Sequence, residues 1–305
     1  MSTGKHNLLV VLGPTASGKT RLGIELARDL GGEVISADSR QVYRGMDIGS
    51  GKDLAEYGEV PYHLIDIVDA GEEYNVYRFQ QDFFAVFEQL QSKHCLPVMV
   101  GGSGLYLEAI IKGYRLIHVP ENPVLRAELA GLEMTQLERR LKRLKPLHNT
   151  TDTLDRKRLL RAIEVAEGEV RLAQDLPVLP PVTPFLLGIR WPRPVLRRRI
   201  TERLRARFDE GMIEEVERLH ASGIPWFRLQ YYGLEYRYIA DFLQGEIKSR
   251  NDLFQKLNAA IHQYAKRQDT WFRRMERQGQ VIHWVDGEGE PVSEARELLA
   301  ARDAE

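Results

Sequence analysis

The chain has 305 residues, of which 43% are hydrophobic and 29% are charged, and its net charge at pH 7 is -1. This length allows one large domain or two unequal ones, and no apolar run approaches the roughly 18 residues that a membrane span requires. The first eight residues are too short and polar for a secretory signal, and the single cysteine, Cys95, excludes an internal disulfide and a cysteine-cluster metal site. We therefore expect a cytoplasmic protein without a membrane partner.

The first part of the chain alternates predicted strands and helices. The run NLLVVLG predicts a buried strand, and TRLGIELARDL, with apolar residues three and four apart, predicts a helix after it. A second strand is predicted at GEVISADS, a candidate third at HLIDIVD, an amphipathic helix at RFQQDFFAVFEQLQSK, and a buried strand at LPVMVGGSG. This alternation predicts a parallel sheet covered by helices on both faces.

The pattern changes after Gly113. From Tyr114 to about Pro181 only helical stretches are predicted, including PVLRAELAGLEMTQLERRLKRL and TLDRKRLLRAIEVAEG, and the proline-rich LPVLPPVTP closes the region. FLLGIRW then resumes the strand pattern, and VIHWV predicts a final strand. We therefore expect a sheet built from both ends of the chain, with a core of residues 1–113 and 183–305 and a helical insertion over 114–182.

Basic residues are concentrated in the second half of the chain, although the net charge is near zero. Three groups stand out: Arg139, Arg140, Lys142, Arg143 and Lys145; Arg156, Lys157, Arg158 and Arg161; and Arg193, Arg197, Arg198, Arg199, Arg203, Arg205 and Arg207. Such clusters are compatible with a nucleic-acid partner, whereas a solvated helix face is the commoner role of a charge run.

The stretch GPTASGKT, residues 13–20, has the spacing G-x-x-x-x-G-K-[ST] between a predicted strand and a predicted helix. In this setting the glycines let backbone amides converge on phosphate oxygens, Lys19 supplies a cation and Thr20 can hold Mg²⁺. The motif predicts an α/β fold of the P-loop NTPase-like, doubly wound type. It does not name the reaction, because Asp38, Asp66 and Asp69 are all candidates for the acidic group of a kinase or NTPase metal site.

The segment SADSRQVYRGMDIG, which follows the phosphate loop, resembles the tRNA dimethylallyltransferase family. The resemblance continues in order from about Leu8 to Phe272, through VPYHLID, LPVMVGGSGLYLEAI, RRRITERLRARF, GMIEEVERL and QYAKRQDTWFR. It implies transfer of a five-carbon group from dimethylallyl diphosphate to the N6 amine of the adenine beside the tRNA anticodon, with release of diphosphate. The implied partners are the donor and the anticodon stem-loop of tRNA, the implied cofactor is Mg²⁺ at Thr20, and a monomer is sufficient.

The resemblance also implies roles for individual residues. Asp38 corresponds to the family's general base, Arg203 to an arginine acting on the leaving group, and Ser103 to a threonine position whose hydroxyl orients the amine or the diphosphate. The implied diphosphate-binding residues are Gly13, Thr15, Ala16, Ser17, Gly18, Lys19 and Thr20. The implied tRNA-binding residues are Asp38, Ser39, Arg40, Gln41, Arg126, Lys157, Arg158, Leu159, Leu160 and Arg161.

The sequence departs from the family pattern in its RNA-binding part. The insertion is shorter than usual, His148 is followed by Asn149 rather than proline, and in YYGLEYRYIADFL the residues Tyr236 and Arg237 are displaced by two positions relative to Gly233.

Three alternatives stay open at this point. The first is prenyl transfer to a free adenine nucleotide, and the second is a phosphate-loop kinase, favoured if Asp38 or Asp66 is a metal ligand. The third is a non-catalytic RNA-binding relative, against which the intact Lys19, Thr20, Asp38 and Ser103 argue.

Overall fold

A computed structural model describes residues 6–144, 155–171 and 178–303. The chain divides into two compact units, one formed by Met1–Tyr114 with Pro180–Glu305 and the other by Arg115–Leu179; the sequence predicts an insertion over 114–182. No helix in the described ranges is long and apolar enough to cross a membrane.

A six-stranded sheet forms the centre of the first unit, in the order β3-β2-β4-β1-β5-β6. All five pairs of neighbouring strands are parallel. The strands are β1 (Leu8–Leu12), β2 (Glu33–Ser36), β3 (Tyr62–His63), β4 (Pro97–Gly101), β5 (Pro184–Arg190) and β6 (Ile282–Asp286). β1 lies between β4 and β5, so the two ends of the chain meet in one sheet and the predicted doubly wound α/β fold is confirmed.

Helices of the first unit follow the strands along the chain. They are α1 (Lys19–Leu30), α2 (Val76–Ser92), α3 (Gly104–Ile111), α7 (Arg193–Asp209), α8 (Met212–Ala221), α9 (Trp226–Tyr231), α10 (Leu234–Leu243), α11 (Arg250–Arg277) and α12 (Pro291–Asp303). The side chains of β1 are all buried, as expected for a central parallel strand. α1 packs closely on β4, because a Cβ atom at Gly23 would lie 2.4 Å from Val100 Cγ2.

The predicted third strand is only partly correct. Tyr62 and His63 pair with β2. His63 is the first residue of the predicted HLIDIVD strand, and Tyr62 comes just before it. Leu64 and Asp66 have positive φ angles of 60° and 56°, which are incompatible with a continuing strand. The residues after β3 instead form backbone hydrogen bonds with the loop that follows β2, including Asp66 N to Gln41 O at 3.1 Å.

The second unit is helical, as predicted, but the stretch PVLRAELAGLEMTQLERRLKRL forms two helices. The structure has α4 (Pro123–Leu129), α5 (Met134–Leu144) and α6 (Arg156–Arg171). The expected continuous helix is interrupted around Gly131, and the Gln136 side chain accepts the Glu133 amide at 2.8 Å where α5 begins. A core of leucines and other apolar residues from the three helices holds this unit together: Leu125, Leu129, Leu137, Leu141, Leu159, Ile163 and Ala166.

Candidate active site

A cavity of about 260 Å³ lies where β1, β2 and β4 end at the carboxyl edge of the sheet. In open parallel sheets this edge is where ligands usually bind, because the loops that follow neighbouring strands converge there. The phosphate loop follows β1, Asp38 follows β2, and Gly101 ends β4. Three loops far apart in sequence thus supply one cavity.

The phosphate loop has the backbone conformation expected of an anion-binding turn. Ala16 and Gly18 both have positive φ angles, 60° and 88°, and α1 begins directly after Gly18. Thr15, Lys19 and Thr20 line the cavity, whereas Gly13, Ala16, Ser17 and Gly18 form the turn that carries them. The helix N-terminus and the turn amides create a favourable field for phosphate.

Side chains from distant elements hold the phosphate loop from outside. Trp191 Nε1 donates to Ser17 O at 2.8 Å, and Arg199 Nε donates to Ala16 O at 3.0 Å. The Arg199 guanidinium lies 4.1 Å from the centre of the Trp191 ring, so the two side chains also contact each other. Because these donors engage the carbonyls of the loop, we infer that they stabilise the orientation of its peptide groups.

Gln268 on α11 connects the loops after β1 and β4. Its Oε1 accepts Thr15 N at 2.8 Å, and its Nε2 donates to Gly102 O at 2.9 Å. The side chain is 6% exposed and lines the cavity. Sequence reasoning missed this residue, since 253 positions separate it from Thr15.

We expect Trp191→Phe to weaken binding of inorganic pyrophosphate about tenfold, measured by titration calorimetry. Phenylalanine keeps a ring beneath Arg199 but leaves the Ser17 carbonyl without its donor, and losing such a hydrogen bond costs about 1–3 kcal/mol. Trp284→Phe is the matched control, because it also removes an indole hydrogen bond, to Glu276, away from the loop. Equal binding by the two variants would contradict the role given to Trp191.

Lys19 and Asp38 both line the cavity and interact electrostatically. Burial lowers the pKa of Lys19 to about 8; Arg203 acts in the same direction, and Asp38 opposes it. Asp38 Oδ1 accepts the Arg40 backbone amide at 2.8 Å, which fixes the carboxylate at the start of its loop. The predicted cation and carboxylate are therefore brought together.

Helix α7 presents three arginines at a spacing of four residues, which places them on one face. Arg199 contacts the phosphate loop, while Arg203 and Arg207 line the cavity. Arg203 Nη2 lies 2.5 Å from Asp53 Oδ2. From the sequence Arg207 was only one member of the third basic group, although its four-residue spacing from Arg203 could have identified it as a candidate for the same site.

The residues after Asp38 have different roles. Ser39 and Arg40 line the cavity, and the Arg40 guanidinium lies 5.5 Å from the ring centre of Tyr231. Gln41 is buried, and its side chain accepts from Ser36 Oγ at 2.7 Å and donates to Gly51 O at 2.9 Å. Because both ends of this carboxamide are bonded within the protein, Gln41 holds the loop after β2. The residue also lines the cavity, and its contact with the target nucleotide stays a prediction.

Ser103 precedes α3 and does not itself line the cavity. It lies beside Tyr264, which does. Burial raises the pKa of Tyr264 to about 12, and an interaction with Ser103 acts in the opposite direction. Tyr264 therefore stays protonated at neutral pH, and its hydrogen bond with Ser103 places that serine next to a residue of the cavity wall.

A buried carboxylate fixes another wall of the cavity. Glu215 on α8 accepts three successive backbone amides, those of Asp47, Ile48 and Gly49, at 2.7–3.0 Å. It also accepts the Tyr236 hydroxyl at 2.8 Å. From the sequence, GMIEEVERL was noted only as part of the family resemblance. In the structure its second glutamate, Glu215, holds the backbone of the loop at Asp47–Gly49. Tyr236, one of the displaced residues, is likewise buried in this arrangement.

Two of the three candidate acidic residues of a kinase metal site are engaged elsewhere. Asp66 forms an ion pair with Lys52, a buried lysine that also contacts Asp47 Oδ1 at 2.5 Å. Asp69 pairs with Arg44 at 2.8 Å. Of the three, Asp38 is the one that lines the cavity of the phosphate loop.

In the second unit, several residues that are predicted to contact tRNA are engaged in contacts within the protein. Arg126 binds Glu164 through two nitrogens, at 2.7 and 2.9 Å, and Arg161 donates to the same carboxylate at 3.2 Å. Leu159 has no exposed surface, and Leu160 is half-buried against the same core. Leu159 therefore cannot contact RNA in this structure, and the two arginines stabilise the unit by neutralising a buried glutamate.

Lys157 and Arg158 are the predicted RNA-binding cations that remain exposed on α6. Neither forms an ion pair within the ranges that the structure describes, so both are available to phosphate. His148 and Asn149, where the sequence departs from the family pattern, lie outside the described residues.

The residues of the cavity suit a cation that is held mainly by a phosphate ligand. In the described part of the chain no cluster of three histidine, cysteine, aspartate or glutamate side chains forms a metal cage. Mg²⁺ often uses only one or two protein ligands together with water and phosphate oxygens. Thr20, which lines the cavity, supplies a hydroxyl oxygen suited to such a site.

Comparison with known proteins agrees with these features. A family model described as IPP transferase matches residues 41–275, and one described as Isopentenyl transferase matches residues 6–60. The chain is 62% identical over 294 residues to tRNA dimethylallyltransferase 1 of Geotalea uraniireducens, covering 96% of this chain and 97% of the relative. It is 62% identical over 287 residues to tRNA dimethylallyltransferase 2 of Syntrophotalea carbinolica, covering 94% and 96%.

A solved structure is similar over nearly the whole chain. It is the full-length tRNA isopentenylpyrophosphate transferase from Bacillus halodurans, with a TM-score of 0.71 and 31% sequence identity. The similarity covers 97% of this chain and 96% of that one. Both the fold and the sequence are therefore shared along the full length of these proteins.

Proposed function

This chain belongs to the IPP transferase family, and we propose that it works as a tRNA dimethylallyltransferase. In the proposed reaction the N6 amine of the adenine beside the tRNA anticodon attacks C1 of dimethylallyl diphosphate. The bond from C1 to oxygen breaks, diphosphate leaves, and the amine loses one proton. The product is N6-(dimethylallyl)adenosine in tRNA.

One observation carries the proposal: a phosphate-loop lysine and a carboxylate line the same cavity, Lys19 and Asp38. The two groups suit opposite ends of the reaction. An adenine amine is a poor nucleophile because its lone pair is delocalised into the ring, so removal of its proton during attack favours transfer. Asp38 is the proposed base, and its bond to the Arg40 amide keeps the carboxylate in place.

The cationic side of the cavity is suited to the leaving group. Negative charge grows on the diphosphate as its bond to carbon breaks, and fixed donors that face this charge stabilise the transition state. The proposed donors are the amides of the phosphate loop together with Lys19 and Arg203. Mg²⁺, held through Thr20, would supply further neutralisation of the diphosphate charge when bound.

The acceptor adenine must leave its stack to reach an enclosed cavity. Ser39 and Arg40, which line the cavity beside Asp38, are the proposed contacts to this nucleotide. We propose that the protein acts on tRNA as a monomer in the cytoplasm.

We expect the double variant Lys157→Gln with Arg158→Gln to bind tRNA more weakly and with a shallower salt dependence. Removing one cation from an RNA phosphate reduces the slope of log affinity against log salt by about 0.7–0.9. The measurement is fluorescence anisotropy of labelled tRNA at several salt concentrations. Lys142→Gln with Arg143→Gln on α5 removes the same charge from another helix of this unit. A slope unchanged in the first variant, or equally changed in both, would contradict a specific contact at α6.

The reaction itself is tested by incubating the protein with Mg²⁺ and labelled dimethylallyl diphosphate, offering unmodified tRNA, AMP or ATP as acceptor. Label on tRNA alone is expected. Label on AMP with none on tRNA would instead support transfer to a free nucleotide, and label on no acceptor would reject prenyl transfer.

A further inference from the structure

Arg207 is a buried cation whose partners are incomplete. The residue is 8% exposed, and its Nη2 atom has no hydrogen-bond partner among the described residues. It forms no ion pair in that part of the chain, whereas Arg203, one turn earlier on α7, is paired with Asp53. Glu235 and Asp53 attract Arg207 electrostatically without bonding to it.

A buried charge without a bonded partner is unfavourable in a folded protein. Burial lowers the pKa of the Arg207 guanidinium, and the positive charge of Arg203 acts in the same direction. An apolar side chain of similar size would fill this space without that cost. An anion bound to the Arg207 guanidinium would offset this cost.

The loop that follows Asp47 confines the guanidinium to the cavity. Gly51 has a φ of 65°, and a Cβ atom there would lie 1.6 Å from Arg207 Nη2 and 2.7 Å from Arg203 Nη2. Only glycine therefore allows the two arginines to lie this close to the backbone. Both side chains line the cavity that contains Lys19, and both affect the pKa of Lys19 electrostatically.

We propose that Arg207 binds the diphosphate of the donor, and the pyrophosphate that leaves, as a second arginine beside Arg203. A guanidinium presents paired N–H groups that match two phosphate oxygens. Because Arg203 is already partly neutralised by Asp53, Arg207 contributes the cation that lacks a protein counter-ion. This inference rests on the proposed function and assigns a further residue to the same diphosphate site.

The test is the Arg207→Met variant, whose side chain fills most of the space without the charge. We expect pyrophosphate binding, measured by titration calorimetry, to weaken on the order of 10- to 100-fold. We also expect the ligand-free variant to melt at the wild-type temperature or above, because an unpaired buried charge has been removed. Arg207→Lys should retain more binding than Arg207→Met, and it carries the test if the methionine variant does not fold. Arg198→Met is the matched control, because it lies nine residues away on α7 and is exposed.

The outcomes separate this inference from the proposed function. Wild-type protein that neither binds pyrophosphate nor transfers a prenyl group would reject the proposed function itself. Wild-type binding that is abolished in Lys19→Met but unchanged in Arg207→Met would overturn the role of Arg207 alone. A lower melting temperature with unchanged pyrophosphate affinity would make Arg207 a structural residue, and weaker tRNA binding with unchanged pyrophosphate affinity would place an RNA phosphate there. Either result would overturn the assignment.

Discussion

Asp38→Asn is expected to lower the rate of prenyl transfer by about 10²–10⁴-fold while leaving tRNA affinity nearly unchanged. Asparagine keeps the oxygen that accepts the Arg40 amide, so the loop after β2 should hold its conformation. It cannot accept the proton of the attacking amine. The rate is measured in a single turnover with saturating tRNA and labelled dimethylallyl diphosphate, and tRNA affinity is measured separately by anisotropy.

Asp69→Asn provides the control for this experiment. Asp69 was a candidate metal ligand from the sequence, but it is largely exposed and pairs with Arg44. Its replacement should leave the transfer rate at the wild-type value. A wild-type rate in Asp38→Asn would remove Asp38 as the base, and equal losses in both variants would argue against a specific role.

Lys19→Met should reduce the transfer rate by about 10²–10³-fold, the range typical of removing one group that stabilises transition-state charge. The Lys19 side chain lines the cavity of the phosphate loop, so the developing charge on the diphosphate would lose a close counter-charge. The loss should appear both in the single-turnover rate and in pyrophosphate affinity. Lys248→Met, which replaces an exposed lysine bonded to the Gly245 carbonyl, should match the wild type in both measurements.

The affinity for the donor should also depend on pH through Lys19. Its pKa is lowered to about 8 in the free protein, so the charged form prevails below that pH and is lost above it. A bound anion favours the charged form, and affinity should therefore fall as pH rises through 8, by up to about tenfold per unit. Lys19→Met should lack this step. A step of the same size in the variant would assign the titration to another group.

The sequence predicted those parts of the site that depend on local rules. A phosphate loop between a strand and a helix, and an aspartate directly after the next strand, lie at the same edge of a parallel sheet whatever the rest of the fold is. Lys19 could therefore be assigned from a short segment, whereas Asp38 was one of three candidate aspartates until the family resemblance implied its role. Trp191 and Gln268 could not, because their contacts with the loop depend on which long-range strand and helix pack beside it.

The prediction for the RNA-binding segment treated neighbouring residues alike, although their burial differs. In KRLLR the two leucines were grouped with the cations, but Leu159 falls on an apolar stripe with Ile163 and Ala166 at helical spacing. That periodicity was readable from the sequence. The pairing of Arg126 with Glu164 was not, since an ion pair between two helices depends on how they pack. Arg161 and Glu164, in contrast, lie three residues apart on α6, a spacing that the sequence shows.

Helix α7 sets the spacing of three arginines at the proposed diphosphate site. Arg199, Arg203 and Arg207 contact the phosphate loop and the cavity from one rigid element, so their separation is set by the helix repeat rather than by any of the three side chains. Inserting or deleting a single residue between Arg199 and Arg203 would rotate the later part of the helix by about 100° and turn both downstream arginines away from the cavity together. Variation in this segment should consequently occur by exchange of residues at constant length.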